Sequence, residues 1–218
     1  MSYILHGSPG TGAVAVEAAL TLIGAPYRMV DAGEWRATAE AVAAVNPMRQ
    51  QPALIWKDEN GRERVMTESA AILLWLAERH PEAGLAPDVG SPGRDQFLRW
   101  MVYLPAAIYS LFWVSDGPDR IVGEVPGAAE EARRRIRDRI ADCWRMMDAQ
   151  IEPGPWLAGE RLSVLDLYVT VMSRWTPRRK RFYAEAPKMA EVVRRVDAEP
   201  RLQTLWADRF PFSEGWEG

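Results

Sequence analysis

The chain has 218 residues, 48% of them hydrophobic and 26% charged, with a formal net charge of −3. That composition belongs to an ordinary globular protein long enough for a sizeable core, and it argues against a dedicated nucleic-acid binder, which carries a basic excess. A single cysteine, Cys143, excludes an internal disulfide and suits a reducing compartment, so we expect a cytoplasmic protein.

The start, "MSYILHGSPGTG", lacks the basic opening and apolar stretch of a signal peptide. Within it "SYILHG" (2–7) predicts a short strand ending at Gly7, and "SPGTG" (8–12) a turn-rich loop. Residues 13–25 predict a helix with Val14, Ala18 and Leu22 on one face and Gly24 near its C-cap. A second strand is expected at 26–32, then an Ala-rich helix over 33–46 broken by "NP". In "PALIWKDENGRERVMT" (52–67) an Asn-Gly pair separates two strand-like runs, the signature of a β-hairpin. Pro52 stands at the mouth of the first run, where a residue without an N–H fits only an edge, a strand start or a bulge. Residues 67–81 predict a helix with Ile72, Leu73 and Leu76 inward, closed by Pro81.

The order βαβαββα predicts a mixed four-stranded sheet with helices, a thioredoxin-like α/β domain over 1–81. The Pro- and Gly-rich stretch 82–93 is expected to be a linker. The rest, 94–218, predicts an all-α helical bundle, with helices at 94–115, 127–151, 163–176, 187–197 and 200–208 and a kink at Pro105. No window approaches the ~18 consecutive apolar residues of a membrane span. His6 and His80 stand apart without Cys or His at ligand spacing, so no metal site is expected.

Three motifs, together reaching across nearly the whole chain, carry a family resemblance. "NPMRQQPALIW" (46–56) is similar to the NP-x-G-K-V-P-x-L stretch of the glutathione S-transferase superfamily. "TESAAILLWLAE" (67–78) resembles its glutamate–serine pair at the head of a helix, and "GPWLAGERLSVLDLYV" (154–169) its late glycine turn and helix cap. The resemblance implies glutathione as co-substrate, a small hydrophobic electrophile as acceptor, and a homodimer, while the charge balance and the lack of a long apolar window predict no nucleic-acid or membrane partner. Dehalogenase, isomerase, lyase and peroxidase variants share this pattern. The alternative on the same fold is a non-catalytic binding or regulatory protein.

Each motif also has a reading of its own. Ser69 lies in the first turn of a helix, where free N–H groups and the positive dipole end favour an anion such as a ligand carboxylate, and Glu68 can meet a ligand ammonium. The resemblance makes this ligand the γ-glutamyl end of glutathione. The alternative is that Thr67 merely caps the helix and Glu68 complements its dipole. The resemblance also implies a cis bond before Pro52, which opens the Gln51 backbone to an extended peptide. Gln51 departs from the usual Val. Gln50 stands where the family often has Lys, and Arg49 can replace that contact to the glycine carboxylate. Ser163 at N-cap and Asp166 at N3, with Leu162 and Leu167 at the staple positions, predict a capping box that serves folding rather than chemistry.

In the resembling family a hydroxyl or thiol near the start of the first helix stabilises the glutathione thiolate. The loop 6–14 holds no Tyr or Cys. Thr11, nearer the helix start, is the favoured donor, and Ser8 is its competitor. Alternatively, both hydroxyls only support a tight turn. Tyr103, Tyr109, Phe112 and Trp113, on one aromatic-rich helix, are expected to line the acceptor pocket. Cys143 is expected to be a buried structural thiol, residues 133–139 an exposed charged helical face, and "PRRKRF" (177–182) a solvated basic patch.

Overall fold

In the computed structural model, residues 2–33 and 40–218 are described. Strands β1 (Tyr3–Gly7), β2 (Tyr27–Asp31), β3 (Ala53–Lys57) and β4 (Glu63–Thr67) form one sheet in the order β2-β1-β3-β4. β1 pairs parallel with β2, from Tyr3↔Tyr27 to Gly7↔Asp31, and antiparallel with β3, from Tyr3↔Trp56 to His6↔Ala53. β4 is antiparallel to β3. Central β1 is the most buried strand, which is why "YILH" is apolar without strict alternation. Its parallel partner requires a crossover, supplied by α1 (Ala13–Ile23). Gly24 ends α1 at φ 74°, and its N–H bonds the Leu20 and Thr21 carbonyls. The hairpin turn closes through Asp58, whose carboxylate accepts the N–H groups of Asn60 and Arg62. Of the helix expected over 33–46, α2 (Glu40–Ala43) is present and residues 34–39 lie outside the described residues. α3 (Ser69–Arg79) follows β4 directly and sets Ile72, Leu73 and Leu76 inward.

Beyond a 3₁₀ turn at Pro81–Ala83 the chain is helical. α4 (Arg94–Tyr103), a π-helical turn (Leu104–Tyr109) and α5 (Ser110–Asp116) make one continuous rod. The kink expected at Pro105 is absorbed by that π turn. The Ser110 N–H reaches back five residues to the Pro105 carbonyl, while the Ser110 hydroxyl takes the Ala106 carbonyl at 2.9 Å. The rod is long and apolar enough to cross a membrane by length and composition. Here it sets Phe97, Trp100, Met101, Leu104, Ile108 and Phe112 into the core.

α6 (Asp119–Val122) and the long α7 (Ala128–Gln150) follow, then α8 (Val164–Met172), α9 (Arg178–Glu185), α10 (Pro187–Asp197) and α11 (Gln203–Arg209). α7 shows the expected charged face, with Arg134 and Arg135 both paired to Glu131. Cys143 is buried on its inner side. α8 is the most buried helix, and α1 packs against it, joining the sheet-bearing half to the helical half. Two expectations are corrected. The helix expected over 163–176 stops at Met172 and the chain turns through a cis Thr176–Pro177 bond. In the 177–182 stretch Arg178, Lys180 and Arg181 are exposed as expected, but Arg179 within α9 is fully buried. Its guanidinium donates to both Asp197 oxygens at 2.5 and 3.1 Å and to the Thr170 carbonyl at 2.9 Å. A buried cation needs that pairing, and the 18-residue separation of Arg179 from Asp197 leaves no local sequence trace of it.

Candidate functional site

The sheet register brings three segments to one end. His6 lies beside Ala53, and Ala53 beside Thr67. The loop that follows β1, the Gln51–Pro52 step that precedes β3 and the Glu68–Ser69 pair that follows β4 are therefore neighbours. Two helices begin here, α1 after Gly12 and α3 after Glu68, and neither N-cap side chain bonds its helix. Both present a positive dipole end, although at α1 the first N–H, of Ala13, is taken by the Thr11 hydroxyl at 3.3 Å.

The Gln51–Pro52 bond is cis, in line with the resemblance, and Pro52 is buried one residue before the β3 ladder. The Gln51 side-chain oxygen and nitrogen are buried, with no hydrogen-bond partner among the described residues. The preceding loop hangs on Asn46. Its amide donates to the Gln50 carbonyl at 2.7 Å and its oxygen accepts the Met48 N–H at 3.0 Å. Arg49, at φ 55°, and Gln50 are exposed beside it.

At the other edge, Thr67 is the last residue of β4, paired with Ala53, and does not cap α3. Glu68 takes the N-cap position at φ 65°, ψ 105°, a conformation that costs a non-glycine residue energy. The Ser69 hydroxyl bonds the Tyr168 hydroxyl of α8 at 2.9 Å.

In the loop after β1, Thr11 donates its hydroxyl to the Ser8 carbonyl at 2.8 Å and accepts the Ala13 N–H at 3.3 Å. The buried Ser8 hydroxyl donates to the Gly33 carbonyl at 2.6 Å and lies 3.2 Å from Asp31 Oδ1. Each hydroxyl is engaged, Thr11 within the turn and Ser8 with the segment after β2, so nothing in this geometry favours Thr11 over Ser8 as a donor to a ligand sulfur. Gly10 sits at φ 74°, and its carbonyl accepts the Trp175 indole N–H at 2.7 Å.

Trp175 anchors an aromatic cluster over the loop. Its ring meets Tyr109 and Phe112 edge-on at 5.1 and 5.0 Å, and Tyr109 lies 6.4 Å from Tyr168. The Tyr109 hydroxyl is at the start of α1, where a Cβ on Gly12 would come within 2.7 Å of it. Burial pushes the Tyr109 hydroxyl up to about 12. The Glu68 and Asp116 charges push the same way, and the Gly12 amide opposes them. Burial also raises Tyr168, with the Ser69 hydrogen bond opposing.

Of the four aromatics expected together, Tyr109 and Phe112 meet here and the other two do not. Tyr103 donates to the Cys143 carbonyl at 3.0 Å and packs edge-on against Trp100, inside the helical core. Trp113 lies beneath the Arg120 guanidinium, 4.8 Å from its ring centre, and is partly exposed. Trp113 stands next to Phe112, and on a helix adjacent residues point in different directions. Tyr168 and Trp175 were missed as site residues. Trp175 lies past the end of α8, so no helical spacing in the sequence links it to Tyr168.

Residues 5–84 match the family model described as glutathione S-transferase, N-terminal domain. Over 204 residues the chain is 31% identical to the uncharacterised GST-like protein YncG of Escherichia coli K12, covering 92% of this chain and 95% of that one. It is 25% identical to the glutathione S-transferase GstA of Escherichia coli O157:H7, over 73% of this chain and 74% of the relative. Among solved structures, a glutathione transferase homologue from Sulfitobacter with bound glutathione superposes with a TM-score of 0.80 at 24% identity, covering 95% of this chain and 98% of that one.

Proposed function

Because the chain belongs to the glutathione S-transferase superfamily, we propose that it binds glutathione at this end of the sheet and adds the thiolate to a hydrophobic electrophile. The observation that carries the reading is the register, which brings the α1 and α3 N-termini and the Gln51–Pro52 step to one end of the sheet. The γ-glutamyl carboxylate meets the Ser69 N–H and hydroxyl, and its ammonium meets Glu68. The cysteinyl backbone pairs with Gln51 beside Pro52, and Arg49 or Gln50 reaches the glycine carboxylate. The sulfur then lies at the α1 N-terminus, where the dipole favours thiolate over a thiol whose free pKa is about 8.5. Phe112 and Trp175 supply the apolar wall for the electrophile. In this reading 1–81 is the glutathione-binding part, 82–93 the linker and 94–218 the helical part. The protein is a homodimer, and the exposed Val65, Leu98 and Val102 offer apolar surface for the contact.

Calorimetric titration with glutathione and turnover of an activated aryl halide test the proposal. Micromolar-to-millimolar binding with thioether formation is expected, and no binding sinks it. A second reading, binding without catalysis, draws on the engaged Ser8 and Thr11 hydroxyls. Tight binding without thioether formation selects it.

A further inference from the structure

We propose that the hydroxyl donated to the glutathione sulfur comes from Tyr109 of the helical half, not from the loop after β1. This deepens the reading above and rests on it.

Three observations point the same way. First, the loop hydroxyls are engaged, because Thr11 donates to the Ser8 carbonyl within the turn and Ser8 to the Gly33 carbonyl beyond β2. Second, Tyr109 ends the π turn, and its Oη is at the α1 N-terminus, so close to Gly12 that a Cβ there would come within 2.7 Å. Gly12 itself has φ −61° and ψ −16°, an ordinary helical conformation open to any residue. A side chain at position 12 is excluded by the tyrosine hydroxyl, not by the backbone. Third, the ring is held from three sides, by Trp175 at 5.1 Å and by Phe112 and Tyr168 at 6.4 Å. Trp175 is tied in turn to the Gly10 carbonyl. The hydroxyl is thus fixed to the same loop that would cradle the sulfur, and a donor that needs no reorganisation stabilises developing charge best.

The groups facing Tyr109 are Glu68 at the head of α3, Asp116 at the end of α5, Tyr168 of α8 and the amide end of α1. The two carboxylates and burial keep Tyr109 protonated near neutral pH. It can therefore donate a hydrogen bond while the thiol proton leaves to solvent. No bond to Tyr109 forms or breaks.

The test uses the full chain and glutathione. Thiolate absorbance of the bound peptide is titrated against pH for wild type, Tyr109→Phe, Gly12→Ala and Thr11→Val, with calorimetric binding in parallel. Tyr109→Phe keeps the ring and is expected to leave the dissociation constant within about threefold. It moves the bound-thiol titration up toward the free value of about 8.5 and lowers thioether formation at neutral pH about tenfold or more. Gly12→Ala, which displaces the hydroxyl, moves the titration the same way. Thr11→Val leaves it in place. If Tyr109→Phe binds glutathione and titrates like wild type, or if Thr11→Val alone abolishes the shift, the assignment to Tyr109 is overturned while the glutathione reading survives. If wild type binds no glutathione, both fall together.

Discussion

Helices α8 and α1 pack against each other, yet their N-termini are finished in opposite ways. At α8 the Asp166 carboxylate, fully buried, accepts the Ser163 N–H at 2.7 Å, the Ser163 hydroxyl at 2.6 Å and the Leu157 N–H at 2.7 Å. Leu162 and Leu167 are buried beside it at the staple positions. At α1 the N-cap is Gly12 and a single hydroxyl, that of Thr11, takes the Ala13 N–H at 3.3 Å, while at α3 no N-cap side chain bonds the helix. A closed terminus contributes to stability and offers a ligand nothing. An open one forgoes about 1 kcal/mol of capping and leaves its donors to whatever binds. The α1 and α3 termini face the same end of the sheet, which is why that end, and not the α8 cap, is the candidate site.

The contrast breaks most severely at Asp166. Asp166→Ala strips one acceptor from three buried donors and is expected to cost about 3–5 kcal/mol. A calorimetric melting point about 10 °C lower checks it, with glutathione affinity unchanged in the protein that remains folded. A loss below about 1 kcal/mol would mean that the cap is no more valuable than the open ends.

The same carboxylate predicts a pH dependence. Burial raises Asp166 from 3.8 to about 6, against the Ser163 and Leu157 hydrogen bonds. Between about pH 4 and pH 6 the native state therefore holds a proton that the unfolded chain has released. This group's contribution is present below about pH 4 and is lost as pH rises through about 6, a change of about 3 kcal/mol. Melting points of wild type and Asp166→Asn over that window measure it, and the variant should lack this component.

Smaller effects sharpen the other side of the comparison. Ser69→Ala is expected to weaken glutathione binding about tenfold, about 1.4 kcal/mol, as read by calorimetry. Its effect on the melting point should be minor beside that of Asp166→Ala. Glu68→Gly relieves the left-handed backbone and is expected to stabilise the fold by about 1 kcal/mol while weakening glutathione binding. Denaturant midpoints and titration on the same samples show whether the two properties move in opposite directions.

What could be read from sequence follows the reach of each interaction. The Ser163–Asp166 box spans three residues, and the Asn-Gly turn joins adjacent strands, so local chemistry announces both. The sheet and its order follow from such short signals. The bonds that assemble the candidate site do not. Ser69 meets Tyr168 from 99 residues away and Gly10 meets Trp175 from 165. Nothing near Gly10 encodes a tryptophan partner, and the loop hydroxyls looked available because their carbonyl acceptors are a property of the folded turn. The aromatic helix misled for a related reason. Its residues were assigned one task, whereas their angular settings send Tyr103 to α7, Phe112 to Trp175 and Trp113 to Arg120.

Those angular settings depend on the π turn at Leu104–Tyr109. A π turn holds one more residue than an α turn, so it acts as a phase shift within an otherwise regular screw. Winding the same residues as α-helix, with none removed, would rotate everything on one side by about 100° relative to the other. Either the buried Trp100 and Met101 or the Tyr109 hydroxyl would then leave its place. The rod is thus a coupling of two registers, one cut to the helical core and one to the sheet end. A change in its winding would alter chemistry before it altered the fold.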